Sequence, residues 1–320
     1  MEIRQLEYFI SASALGNLTK VAERHYVSQP NITVAIKKLE SELGVNLFER
    51  RKNKLVLTEE GEFFLLKVKP LIIALKNSVA EIKDYHNKNS GVVTLGIPPM
   101  ISLFLFTPLF KHFRELYSEM ELSLVEEGTF GLHQKLSHGD IDLAIVIIND
   151  APEELVTVPL MTQQHVVCIS DKHPLAKKKT IDWEDLQNEP LIVMKKDSWH
   201  RKAILNECEK RGVNTHIFLS SNSVKNNIDL VAKNEGISFI LDAVGLKCDG
   251  VTTRAMTEPV YVEIGLAWKK DKYLSYASRA LIAFLEQYIK DNFQLFIYIC
   301  SSTNNSHNSS ASGGIFFAGR

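Results

Sequence analysis

No stretch of this 320-residue chain holds the roughly 20 consecutive apolar residues that a membrane helix needs, so no membrane span is expected. The first residues, MEIRQLEYFI, carry an acid early and have no long apolar core. They do not read as a signal peptide, and a cytoplasmic setting is expected. Cysteine is scarce. Cys168, Cys208, Cys248 and Cys300 form no CxxC pair and none lies beside a histidine at ligand spacing. Ordinary thiols are expected, with no disulfide framework and no metal. GxSxG, GxxxxGKS/T, HExxH and a post-strand GxGxxG are all missing, and His133 and His138 are five apart, a poor spacing for one helical face. An enzyme is not expected, nor any catalytic residue or cofactor. Net charge is scarce too. A formal value of −1 excludes a basic nucleic-acid coat, so DNA binding would have to rest on local charge.

Local charge is present. Residues 20–57 carry eight basic side chains against four acidic ones, which leaves the remainder of the chain slightly acidic. Residues 2–15 have the apolar spacing of a helix with one broad buried face. Gly16-Asn17 ends it, with Asn17 suited to cap a second short helix at 18–25, where Val21 and Ala22 point inward. His25-Tyr26-Val27 forms a turn. Ser28 has the chemistry of an N-cap, and Pro30 fits a first helical turn. Ile32, Ile36, Leu39 and Leu43 then share one face, and Gly44 closes the helix. The other face shows Asn31, Thr33, Val34, Lys37 and Lys38, which suits base edges first and phosphates second. Taken alone, that face is more readily an ordinary solvated surface. The segment Phe48–Leu57 changes this, because it reads as two short strands around a basic turn containing Arg50, Arg51 and Lys54. Helix, turn, basic helix and basic hairpin make a winged helix-turn-helix.

Thr58-Glu59-Glu60 begins a helix of about 28 residues, with Phe64, Val68, Leu71, Leu75, Val79 and Ile82 on a coiled-coil-like seam. Its natural use is pairing with a second copy. Pro70 predicts a kink or break near 66–70, and residues 84–91 (DYHNKNSG) read as a hinge.

From Val92 strands and helices alternate. Strands are expected at 92–97, 121–126, 141–147, 155–160, 165–170, 190–194, 215–220, 237–241 and 260–268. Helices are expected at 103–117, 130–138, 182–186, 200–211, 223–234 and 273–292. This predicts an α/β region with mostly parallel sheets in two lobes, and a ligand cleft between them. Residues 295–320, rich in Ser, Asn and Gly, are expected to be a disordered tail. The domains are therefore 1–58 (winged helix-turn-helix), 59–88 (dimerising helix), 89–294 (two lobes) and 295–320 (tail).

Several motifs resemble those of the LysR-type transcriptional regulators. They are Phe9, Ala22-Glu23, the run SQPNITVAIKKLESELG from Ser28 to Gly44, Leu47-Phe48-Glu49-Arg50 and Leu57-Thr58-Glu59-Glu60-Gly61. Further along, Gly139–Ile145 looks like the family's GDxDLAI strand, and Leu230-Val231-Ala232 with Glu235-Gly236-Ile237 like its LVAxGxGI segment. The resemblance runs to about residue 293. It implies two Rossmann-like lobes resembling periplasmic binding proteins, sequence-specific binding of double-stranded DNA, a small-molecule effector, and a homodimer or homotetramer. It places Ser28, Gln29, Pro30 and Thr33 on DNA-contacting positions and Arg50 on the wing. This chain departs from the family pattern at Val34-Ala35, where many members have Arg then Gln, and at Asn53, where a wing arginine is common.

The family's effector positions fall at Pro99, Met100, Ser102, Thr129, Val146, Ile147, His200, Arg201, Asn222 and Ser223. Ser102 and Arg201 suit an anionic ligand such as a carboxylate. A plain N-cap and a surface ion pair explain these two residues equally well. The competing function is a cytoplasmic solute-binding protein with no DNA role. The basic N-terminal module speaks against it.

Overall fold

The computed structural model describes residues 1–51, 54–86, 91–244 and 249–302. The chain divides into two compact units, Met1–His86 with Asp271–Tyr273, and the remainder. Among the described residues no helix is long and apolar enough to cross a membrane.

The first unit contains α1 (Ile3–Leu15), α2 (Leu18–Arg24), α3 (Gln29–Leu43), β1 (Phe48–Arg51), β2 (Lys54–Leu57) and α4 (Glu59–His86). Asn17 caps α2 through its side-chain oxygen, which accepts from the amides of Thr19 and Lys20. Ser28 occupies the N-cap of α3, but its hydroxyl makes no capping bond. Ile32, Ile36 and Leu39 are buried. Leu43 is not: at the last turn of α3 it projects past the core and is 36% exposed. β1 and β2 pair antiparallel, Phe48 opposite Leu57. The basic turn between them, residues 52–53, lies outside the described residues. Thr58 Oγ1 accepts from the Gly61 amide and so starts α4. Gly61 is required by close approach, since a Cβ there would lie 2.1 Å from the Leu47 carbonyl oxygen.

α4 runs unbroken through Pro70. The predicted break is absent because the proline removes one donor while Val68 and Ile72, on either side, are buried against Leu6, Phe9, Leu39 and Leu47. Beyond them Leu71, Leu75, Val79 and Ile82 are exposed, from 42% to 68%. The predicted hinge is helical at Asp84–His86, and residues 87–90 lie outside the described residues.

The second unit is α/β. β3 (Gly91–Ile97), β4 (Met120–Glu126) and β5 (Leu143–Ile147) are parallel, with α5 (Pro99–Leu116) and α6 (Thr129–His138) as crossovers. β6 (Leu155–Ser170) follows, then β7 (Thr180–Ile181), β8 (Pro190–Val193), α7 (Trp199–Lys210), β9 (His216–Ser220), α8 (Val224–Ala232), β10 (Ile237–Leu241), β11 (Val251–Met256), β12 (Tyr261–Lys269) and α9 (Tyr276–Ser302). The order is β4-β3-β5-β12-β6-β10-β8-β9, with β11 beside β6 and β7 beside β11.

Three expectations are corrected. The strands at 155–160 and 165–170 are one 16-residue strand, β6, because its first part pairs with β12 and its second with β10 and β11. β6 and β12 run antiparallel through both lobes, so the sheet is mixed and not mostly parallel. Their register slips once, where Gly265 faces Pro159 and Ile264 faces Met161, leaving Leu160 as the extra residue. Finally, α9 continues past residue 294 to Ser302, so the tail expected from 295 begins as helix, and 303–320 lie outside the described residues.

Candidate nucleic-acid interface and interlobe cavity

α3 presents Ser28, Gln29, Pro30, Asn31, Val34, Lys37 and Lys38 as exposed residues, with Thr33 half-buried. The buried stripe of Ile32, Ile36 and Leu39 turns these positions outward. Gln29 Nε2 donates to Thr33 Oγ1 at 2.8 Å, and Thr33 Oγ1 donates to the Gln29 carbonyl at 3.2 Å, so the two polar side chains are held as a unit. Val34, 65% exposed, stands beside them as an apolar contact. Lys38 lies 3.4 Å from Glu2, whereas Lys37 has no ion-pair partner among the described residues. Arg50 and Arg51 are exposed on β1, with Arg51 paired to Glu49 at 2.6 Å. Lys54 begins β2; its side chain lies outside the described residues.

The turn that aims α3 is fixed from behind. Ser11 Oγ and His25 Nε2 are 2.7 Å apart, and Tyr8 packs edge-on against the His25 ring at 4.9 Å. Tyr26 then takes a left-handed φ of 55° and is 96% exposed.

In the second unit, residues at the C-terminal ends of strands from both lobes enclose a cavity of about 20 Å³. Pro98, Pro99, Met100 and Ile101 come from the start of α5, Gly128 and Thr129 from the start of α6, and Ile147 from the end of β5. The other lobe contributes Met194 after β8, Ser198 and His200 at the start of α7, Asn222 after β9 and Leu241 at the end of β10. Six of the ten predicted effector positions line it: Pro99, Met100, Thr129, Ile147, His200 and Asn222.

Four predicted positions do not line the cavity. Val146 is buried in the core against Leu132 and Ala144, because strand alternation turns it away. Ser223 caps α8, its hydroxyl accepting from the Asn226 amide at 3.3 Å. Ser102 sits one turn into α5, its amide closing the helix onto the Pro98 carbonyl at 2.9 Å. Arg201 turns the other way, donating to the Met194 carbonyl at 3.2 Å and to Ser220 Oγ. It clips the ends of β8 and β9 together and brings no charge to the cavity. Pro98, Ile101 and Gly128 adjoin predicted positions in the chain, and sequence reasoning missed Met194, Ser198 and Leu241 outright. Strand ends at 190–194 and 237–241 were the available signal for Met194 and Leu241.

The cavity mouth is bridged between lobes. Asp197 Oδ2 accepts from the Gly128 amide at 2.8 Å, and its carbonyl accepts from the Phe130 amide at 3.0 Å. Gly128 permits this approach, since a Cβ would lie 2.4 Å from the Asp197 carbonyl oxygen. Asp150, after β5, accepts from Trp199 Nε1 at 3.0 Å and Lys202 Nζ at 3.1 Å. The Lys202 hydrogen bond, followed by that from Trp199, holds the Asp150 carboxyl below its ordinary value.

Behind the wall, the His165 and His200 rings lie 4.3 Å apart. Burial pushes His165 down to about 4, and burial with the neighbouring His165 pushes His200 well below its ordinary value. Both rings are neutral at pH 7. Burial also raises the Cys208 thiol to about 11. Among the described residues no group of three His, Cys, Asp or Glu is placed to hold a metal.

Two family models match the chain. Residues 3–62 match one described as a bacterial regulatory helix-turn-helix protein of the lysR family, and residues 86–290 match the LysR substrate binding domain. The HTH-type transcriptional regulator YwbI of Bacillus subtilis is 30% identical over 294 residues, covering 91% of this chain and 98% of that protein. Among solved structures, a full-length OxyR variant from Pseudomonas aeruginosa aligns with a TM-score of 0.60 at 24% identity, covering 89% of this chain and 94% of that one. CbnR in complex with its target DNA aligns with a TM-score of 0.52 at 19% identity, covering 90% and 100%. With both domains matched in order, the chain belongs to the LysR family of DNA-binding transcriptional regulators with an effector-binding domain.

Proposed function

We propose that α3 reads operator DNA through the Gln29–Thr33 pair, Asn31 and Val34, with Lys37, Lys38, Arg50 and Arg51 on phosphates. The solved complex of CbnR with target DNA supports this use of the module. The exposed seam Leu71, Leu75, Val79 and Ile82 pairs α4 with a second copy, and the resulting homodimer, alone or as a tetramer, binds two DNA subsites. The interlobe cavity holds the effector. The protein acts in the cytoplasm, without cofactor and without catalysis.

One observation carries the regulatory reading: an exposed, polar-then-basic face of a helix whose opposite stripe is buried. A genomic-fragment selection with wild-type protein and a Val34→Asp, Lys37→Gln variant tests it. Enrichment of a two-fold symmetric site by wild type alone is the expected result. Equal enrichment of a site by both proteins would remove this face of α3 from the DNA contacts, and enrichment by neither would leave a ligand-binding protein with no DNA role.

Relatives named as hydrogen peroxide-inducible gene activators suggest redox sensing as a second reading. The described thiols argue against it. Cys168 and Cys208 are buried in separate cores, and a thiol raised to about 11 carries little thiolate to react with peroxide. A small molecule held between the lobes is the better-supported signal.

A further inference from the structure

Between β12 and α9 the chain leaves its own unit and returns to it. Lys270 and Leu274 belong to the second unit, but Asp271–Tyr273, between them, belong to the first. Asn77 of α4 holds this strap. Its Nδ2 donates to the Asp271 carbonyl at 2.8 Å, and its Oδ1 accepts from the Tyr273 amide at 2.9 Å. The Tyr273 hydroxyl donates to Asp84 Oδ2, two turns further along α4, at 2.9 Å. Asn77, Asp84 and Tyr273 are all half-buried. A connection alone would need none of these bonds, and ordering the strap costs conformational entropy.

Both ends of the strap are fixed in the second unit. The Lys270 amide donates to the Glu154 carbonyl at 3.0 Å, and Arg279 donates to the Leu274 carbonyl. Leu274 packs against the core that contains Met100, Ile147, Met194 and Leu241, four residues of the cavity wall. On α4 the placement is equally definite. A helix turns about 100° per residue, so Asn77 and Asp84, seven apart, share one face. Asn77 is two residues from Leu75 and from Val79, and Asp84 is two from Ile82, which puts the strap on the side of α4 away from the exposed seam. The same helix is held to α1 and α3 by buried Val68 and Ile72, and to α1 by the Lys76–Glu7 ion pair at 2.8 Å.

We propose that the Asp271–Tyr273 strap transmits changes at the interlobe cavity to α4, with Asn77 as its positioning residue and the seam Leu71, Leu75, Val79 and Ile82 as the surface it adjusts. This rests on reading α4 as the dimerising helix and the cavity as the effector site. A ligand that displaces the cavity wall shifts the core under Leu274, and the strap carries that shift to the back of α4. Because α4 runs unbroken from Glu59 to His86, a turn imposed at Asn77 moves the seam and the helix-turn-helix together.

Sedimentation equilibrium of the full chain tests this, with Met100→Trp, which crowds the cavity wall, standing in for the unidentified ligand. In the wild-type background Met100→Trp is expected to change the dimer dissociation constant about fivefold or more, the lower end of coupling between distant sites. Asn77→Ala removes both of its strap bonds and should abolish that response, whatever it does to the constant itself. Asn77→Asp, which keeps the acceptor for the Tyr273 amide, should restore part of the response, and Tyr273→Phe should weaken it. If Met100→Trp does not fold, Ile147→Ala perturbs the same wall; if Asn77→Ala does not fold, Tyr273→Phe decides. The same response in the wild-type and Asn77→Ala backgrounds, or none in the wild-type background, overturns the inference and leaves both readings it rests on. A chain that stays monomeric at every concentration overturns the inference together with the reading of α4.

Discussion

The indole Nε1 of Trp199 donates to Asp150 Oδ2 across 3.0 Å, tying the first turn of α7 in one lobe to the loop after β5 in the other. Lys202 reaches the same oxygen, but both partners of that ion pair are about half exposed, 51% and 49%, so it contributes about 0–1 kcal/mol. The indole bond is the more directional link.

Asp150→Ala should therefore free the indole. We expect a loss of about 1 kcal/mol in stability and greater quenching of tryptophan emission by acrylamide. Trp199→Phe in the same background should cancel the quenching difference, because of the three tryptophans Trp199 is the one bonded to Asp150, Trp183 being buried at 2% and Trp268 half-buried on β12. Unchanged quenching in Asp150→Ala would show that the latch does not hold the lobes.

The buried histidines predict acid sensitivity. Unfolding returns His165 from about 4 to its ordinary 6.5. Between those values the unfolded chain binds more protons than the folded one, so stability rises with pH. The slope is about 1.4 kcal/mol per pH unit for His165 alone. His200, also lowered, adds in the same direction. Urea midpoints at pH 5 and pH 7.5 should differ in wild type and differ less in His165→Phe. The same difference in both proteins would contradict the assignment.

Lys37 and Lys38 should separate in a salt titration of DNA binding. Lys37→Gln should lower the slope of log affinity against log salt by about one. Lys38→Gln should lower it less, because Glu2 at 3.4 Å already offsets its charge. Fluorescence anisotropy on a labelled operator measures both, and a slope indifferent to Lys37 would remove α3 from the phosphate contacts.

Tyr26 holds a left-handed backbone with no packing to offset it. At a φ of 55° and 96% exposure, Tyr26→Asn or Tyr26→Gly should raise stability by about 0.5–1 kcal/mol. A lower melting temperature in both variants would mean that the tyrosine ring makes a stabilising contact.

The first unit was largely legible because its information is local. Asn17, Ser28, Gly44 and Thr58 mark helix ends, and Ile32, Ile36 and Leu39 mark a buried stripe within a few residues of one another. Pro70 misled because its cost was weighed without Val68 and Ile72, whose burial holds the helix straight across it. β6 was split because nothing in its own sequence records that its neighbours change along its length. The candidate effector site was half legible. The family resemblance pointed to Pro99, Ile147 and His200, and also to Arg201, whose charge suited it to an anionic ligand. Its real partners, the Met194 carbonyl and Ser220, become neighbours only when β8 and β9 pair.

The slip between β6 and β12 bears on how the first lobe's sheet is built. At Pro159 the ribbon lacks an amide donor, and at Gly265 it lacks a side chain, where a Cβ would lie 2.7 Å from the Val158 carbonyl oxygen. Elsewhere the two strands are laddered without interruption from Tyr261 to Lys269. Gly265 is also paired with Val146 of β5, so the slip is enclosed in the first lobe's own sheet, while the ribbon that leads out of that sheet, Tyr261–Ile264 against Met161–Gln164, has no break. Extending Gly265 by even one methyl would therefore push on Val158 and Ile148 within that lobe and leave the crossing ribbon in register.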